Sequence, residues 1–120
     1  MKISEASRRT GLSISTIRYY EQSGLCPTIS RGRDGQRQFN AHDLDWLLLL
    51  CSLRETGMPT AAMQEFARLY RRGNATVPER KAMLIDHQAR LKERQSQLDR
   101  CRDLLTKKLS RYDEIIGDQI

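Results

Sequence analysis

The chain has 120 residues, 38% of them hydrophobic, with a net charge of +6 and a pI near 9.6, which bounds it to one domain, or one small domain with an appendage, and makes polyanions the first partners to consider. No apolar run approaches the length that crosses a bilayer, and Met1-Lys2-Ile3-Ser4-Glu5 leads straight into structure, so neither a membrane partner nor secretion is expected. Cys26, Cys51 and Cys101 are odd in number and far apart, which excludes a disulfide framework and points to the reducing cytoplasm.

In chain order, Ser4 to Thr10 predicts a first short helix, with Ile3 and Ala6 facing inward and Arg8 and Arg9 in solvent or at phosphate. Gly11-Leu12 is the joint to a second helix, Ser13 to Ser23. Ser13 can cap it. Ile14 and Ile17 are expected to face a core, while Ser15, Thr16, Arg18, Tyr19 and Tyr20 face outward. Helix, short turn with Gly, helix is the helix-turn-helix pattern, whose second helix enters the major groove. The positive excess is densest here: residues 1–40 hold seven Lys/Arg against three acids.

Gly24 reads as a helix C-cap and Pro27 as a stop. Thr28 to Phe39 reads as a hairpin about a two-residue Asp34-Gly35 turn with positive φ at both positions. Its arginines, Arg31, Arg33 and Arg37, suit a wing lying on the DNA backbone. Asn40, with Asp43 three residues on, caps a third helix, from about Ala41 to Thr56. Leu44, Leu47, Leu48 and Cys51 form one apolar face and Trp46, Leu49, Leu50 and Leu53 another, so this helix should be buried on several sides. Pro59 stands at the first position of a fourth helix. There Met63, Phe66, Ala67 and Tyr70 keep helical spacing inward, and Gly73-Asn74 ends it.

After Pro78 and as far as Tyr112 the sequence contains no Gly or Pro, which predicts one helix of about 35 residues from about Pro78 to Tyr112, roughly 50 Å long. Leu84, Leu91, Leu98, Leu105 and Tyr112 recur every seven residues, with Cys101 on the companion seam. A stripe this long cannot be buried on a 75-residue globule, so a second copy of the same helix is the simplest partner, in a two-fold dimer. The tail Gly117 to Ile120 should fray. The expected domains are a DNA-binding unit over 1–75 and a dimerisation helix with a short tail over 76–120.

Several blocks together, Ile3-Ser-Glu-Ala6, Thr10-Gly-Leu-Ser13, Thr16-Ile-Arg-Tyr-Tyr-Glu21, Gly24-Leu25, Gly35-x-Arg37-x-Phe39, Asp43-Leu44 and Gly57-Met58, resemble the MerR family of bacterial transcription regulators over essentially the full length. The resemblance implies a mostly α fold: a winged helix-turn-helix, a second wing in the fourth helix, and a long C-terminal helix forming an antiparallel coiled-coil dimer. It further implies that the dimer binds a pseudo-palindromic promoter spacer in double-stranded DNA, then bends and untwists it, so that RNA polymerase is affected indirectly. Carried over, Arg18 and Thr16 are base readers, and Tyr19, Tyr20, Arg31, Arg33 and Arg37 are backbone clamps.

Leu53-Arg-Glu-Thr-Gly-Met58 and Arg71-Arg-Gly-Asn-Ala-Thr-Val-x-Glu-Arg80 look like the short branch that answers aldehydes or thiol stress. That likeness makes Cys51 a candidate thiol sensor, although the sensing position of the branch is Ser52 here, about 100° away round a helix. The other reading of Cys51 is a small core residue. Metal-sensing relatives carry cysteines at both ends of the long helix. Residues 74–80 and 113–120 hold none, so no metal site and no cofactor is expected. The sequence contains no nucleophile–base pair or Gly-rich phosphate loop, so an enzyme is not expected. The alternative to an effector-responsive regulator is an architectural winged-helix protein that bends DNA without sensing.

Overall fold

A computed structural model describes residues 1–26 and 29–119. The readings of Pro27 as a helix stop and of Thr28 as the start of the hairpin fall outside the described residues, as does Ile120. The elements are α1 (Ile3–Thr10), α2 (Ile14–Gln22), α3 (Ala41–Glu55), α4 (Thr60–Arg71), a 3₁₀ turn (Asn74–Thr76) and α5 (Val77–Asp118). The chain divides into two compact units, Met1–Met83 and Leu84–Ile120.

In the first unit α3 is the central strut, packed against α1 and α4, while α1 also packs on α2. Its N-terminus carries the full capping box. Asn40 Oδ1 accepts from the Asp43 amide at 2.8 Å and Asp43 Oδ2 from the Asn40 amide at 2.9 Å. Leu44, Trp46, Leu47, Leu50 and Leu53 are buried. Leu48, expected inside, is 43% exposed. A straight helix has only so much circumference to share among two neighbours, and that strip is left over.

Trp46 ties the unit together. Its indole N–H donates to the Leu25 carbonyl at 2.8 Å, and its ring lies 5.4 Å from Phe66 and 4.3 Å from Tyr70, both on α4. Each aromatic pair adds about 0.5–1.5 kcal/mol beyond buried area. Pro59 holds the N-cap of α4 in extended backbone, at the start of the helix as expected.

The boundary of the first unit lies beyond residue 75, because the first turns of α5 belong to it. The buried Thr76 hydroxyl donates to the Leu69 carbonyl, and Arg80 donates to Thr76 Oγ1 at 3.1 Å and to the Gly73 carbonyl at 3.2 Å. Arg80 also lies 5.2 Å from the centre of the Tyr70 ring.

The second unit is a single helical rod. With 42 residues, α5 is longer than expected and includes Gly117 and Asp118, the first two residues of the tail. Leu91, Leu98, Leu105 and Tyr112 are exposed along it. So are Leu109 and Ile116, four residues after Leu105 and Tyr112, which complete the stripe in the last turns. Arg90–Asp86 (2.9 Å), Arg102–Asp99 (2.6 Å) and Arg111–Glu114 (3.1 Å) ion pairs support the polar surface.

Candidate nucleic-acid interface

The interface is built on α2. Ser13 Oγ accepts from the Thr16 amide at 3.1 Å, fixing the start of the helix. Its end is a Schellman turn. Gly24 takes φ 77°, and the Leu25 amide donates to the Tyr20 carbonyl at 3.0 Å. Between these caps, 3.6-residue periodicity sorts the side chains. Ser15, Arg18, Tyr19 and Gln22 form one exposed stripe at i, i+3, i+4 and i+7. Ile17 and Tyr20 are buried.

This corrects three expectations. Tyr20 is 1% exposed and fills the core, so it cannot clamp DNA backbone. Its hydroxyl bonds Arg54, which raises the guanidinium pKa further. Thr16 is only half exposed and its hydroxyl accepts from Ser13 at 2.8 Å, so it serves the helix start before any base. Ile14, expected to face the core, is exposed. Gln22 was missed, although its seven-residue distance from Ser15 was legible.

The wing is smaller than a ladder of strands. It is one antiparallel bridge, Arg31 to Arg37. The Gly35 amide donates to the Gly32 carbonyl at 3.0 Å and the Gly32 amide to the Gln36 carbonyl at 2.8 Å. Among the described residues of the wing only Gly35 has positive φ, at 77°, and no non-glycine among the described residues of the chain does. The loop is therefore three residues, Arg33-Asp34-Gly35, with glycine in the left-handed place, and not the expected two-residue turn. Asp34 Oδ1 accepts from the Gln36 amide at 3.0 Å. That bond first, opposed by burial and then helped by the Lys2 ammonium, holds the Asp34 carboxyl below its usual range.

Arg37 turns inward to pair with Glu21 of α2, both side chains being largely buried. The pair fastens wing to recognition helix, so Arg37 acts first as a positioning residue and not as a free phosphate clamp. Arg31 Nη1 donates to the Gly35 carbonyl at 2.9 Å, bracing the loop. Arg33 is exposed at the tip. The amino terminus lies beside this wing: Met1 and Phe39 exchange two hydrogen bonds of 2.6 Å.

Together these elements enclose a cleft of about 280 Å³ whose basic residues are Lys2, Arg18, Arg31 and Arg37. Lys2 was not foreseen, and nothing in its local sequence marks it. Arg71 of α4 donates to the Gly24 carbonyl, steadying the end of α2 from the far side. Arg54 stands 5.9 Å from the centre of the Tyr19 ring, a cation beside an exposed aromatic. Among the described residues no acid pairs with Arg18, so all its donors are free for a ligand.

The cysteines lie elsewhere. Cys26 is buried and its thiol is pushed up to about 12, by burial first and then by Asp43 and Glu21. The Cys51 thiol is also raised, by burial first and then by Glu55, whose Oε1 accepts from Sγ at 3.4 Å. A reactive cysteine needs the opposite shift. Cys101 is exposed on α5. No group of three or more His, Cys, Asp or Glu able to hold a metal ion occurs among the described residues. No helix among them is long and apolar enough to cross a membrane.

Residues 1–69 match the MerR HTH family of regulatory proteins, and residues 44–108 match the family described as MerR, DNA binding. The chain belongs to the MerR family. Among relatives of this MerR protein, the transcriptional regulator AdhR of Bacillus subtilis is 34% identical over 93 residues, 78% of this chain and 66% of AdhR. CueR of Salmonella typhimurium is 32% identical over 108 residues, 88% of this chain and 76% of CueR. Among solved structures, that of HiNmlR, a MerR family regulator lacking the sensor domain and bound to promoter DNA, superposes with a TM-score of 0.85 at 34% identity, covering 94% of this chain and 86% of that one. This MerR protein is a DNA-binding transcriptional regulator and not an enzyme.

Proposed function

We propose that the regulator acts as a homodimer on a pseudo-palindromic promoter spacer, bending and untwisting it so that RNA polymerase can use both promoter elements. The observation that carries this reading is the pairing of a basic cleft on one unit with an unpartnered apolar stripe on the other. One cleft reads one half-site. An antiparallel coiled coil of two α5 helices, with Leu84, Leu91, Leu98, Leu105 and Tyr112 on its seam, presents two clefts with two-fold symmetry to one duplex. The deformation energy of the spacer is then offset by contacts from both copies. At each cleft Arg18 reads base edges, with Ser15 and Gln22 on the same exposed stripe of α2, while Tyr19, Arg31 and Arg33 meet the backbone.

In vitro transcription tests this. On a promoter carrying the operator in an over-long spacer, the protein should raise RNA polymerase output. On the same promoter with a spacer of ordinary length it should not. Equal stimulation of both would remove spacer distortion from the account.

A response to reactive aldehydes or oxidants through Cys51 would need its thiolate, and burial and the Glu55 carboxylate beside it, 3.4 Å away, raise the thiol pKa. That observation favours, for the response alone, a second reading: a winged-helix protein that bends DNA without an effector. Under an aldehyde or an oxidant, Cys51→Ser is expected to give the same transcription as wild type. A response present in wild type and lost in Cys51→Ser would restore the sensor.

A further inference from the structure

Besides Glu21, which is taken up by Arg37, an exposed acid stands beside the basic cleft. Asp34, at the wing tip, brings Oδ2 to 3.5 Å from Lys2 Nζ. The two partners differ in freedom. The carboxylate is anchored, because its other oxygen accepts from the Gln36 amide at 3.0 Å within the loop. The ammonium rides on a four-carbon stem, while the backbone behind it is fixed by the exchange between Met1 and Phe39. Lys2 is therefore a mobile charge on a fixed base. Both side chains are about half exposed, at 56% and 49%, and a pair so exposed is weak and screened by salt.

The other basic groups of the cleft are differently placed. Arg37 is committed to Glu21 and Arg31 to the Gly35 carbonyl, while Arg18 is unpaired. Lys2 is thus the one cleft cation whose present partner is a surface acid that a ligand can displace. A phosphodiester oxygen entering the cleft offers Lys2 a stronger acceptor and meets repulsion from Asp34.

We propose that Lys2 is a backbone-phosphate ligand and that Asp34 restrains it, so that the pair limits sequence-independent DNA binding. This rests on the reading that the cleft faces DNA. The restraint raises specificity: weakening the contact common to all duplexes leaves a larger share of affinity to base readout by Arg18. It is not a pH switch in ordinary buffers, since the Asp34 carboxyl stays ionised there.

The test is the salt dependence of binding to an unrelated duplex, measured for full-length wild type, Asp34→Asn, Lys2→Gln and the double variant. Asparagine keeps an oxygen for the Gln36 amide and suits the loop, and circular dichroism checks the fold. Asp34→Asn should steepen the slope of log K against log salt by up to about 0.9, an extra fall of up to roughly 3.5-fold between 50 and 200 mM salt, the limit being one whole added phosphate contact. The ratio of operator to unrelated affinity should drop. Adding Lys2→Gln should return the slope to that of wild type, whereas Lys2→Gln alone should change it less. An unchanged slope in Asp34→Asn overturns the proposal. So does an equal effect of Lys2→Gln in both backgrounds, which marks a diffuse field effect. Arg18→Ala in the same assay separates the two levels: if it loses operator preference while Asp34→Asn does nothing, only the restraint is wrong. If it keeps full preference, the cleft reading itself fails.

Discussion

Arg18→Ala is expected to lose about 1–3 kcal/mol of discrimination between operator and unrelated duplex, roughly 5- to 150-fold, with the folded state unchanged. The reason is the inventory of arginines around the cleft. Arg37 is bound to Glu21 and Arg31 to its own loop, so neither has a whole guanidinium to offer. Arg18 is exposed in the middle of the outward stripe of α2, between Ser15 and Gln22, with no acid partner among the described residues. A free guanidinium on a helix that enters the major groove can take O6 and N7 of guanine together, and the alanine variant leaves those acceptors unread. Stability should not move, because nothing in the core depends on this side chain. Competition binding with operator and scrambled duplexes measures the effect, and an unchanged ratio would take base reading away from Arg18. Arg37→Ala should differ in kind. It leaves the Glu21 carboxylate without its partner, so the wing loosens and thermal stability falls as well as affinity.

Leu98→Asp is expected to turn the proposed dimer into monomers at micromolar concentration and to weaken binding to a full two-half-site operator by about 10²–10⁴-fold, while binding to a single half-site persists. Leu98 lies mid-way along the stripe of α5 and is 54% exposed in the single chain. In a two-fold coiled coil each copy contributes one Asp, so two carboxylates enter an apolar seam without partners. The clefts themselves are untouched. What is lost is the tether that makes the second half-site contact intramolecular. Gln97→Asp, one residue away and about 100° round the helix from the stripe, should leave assembly intact. Sedimentation with and without operator checks both variants. A Leu98→Asp protein that still sediments as a dimer and binds the full operator like wild type would rule out the α5 seam as the interface.

Local rules carried most of the element boundaries. Ser13, Asn40 with Asp43, Gly24 and Gly57 mark helix ends through bonds that span only a few residues, so the chain states them directly. The long helix was legible because its side chains need no tertiary partner to keep helical dihedrals, although its last turns ran past the expected end. The wing loop was misread for a local reason as well: Asp34-Gly35 suits two hairpin loops, and the register of the flanking bridge selects the three-residue one.

The amino-acid sequence by itself determined that this is a basic helix-turn-helix protein with a heptad-striped final helix. Periodicity, caps and charge density act over one or two turns and are written in neighbouring residues. Only the tertiary structure decided which polar groups are free. Tyr20 is taken into the core, Arg37 is drawn to Glu21 sixteen positions away, and Lys2 is carried to Asp34 by the exchange between Met1 and Phe39. Whether a charge meets solvent or a partner depends on burial and on contacts between distant segments, and no spacing along the chain encodes that.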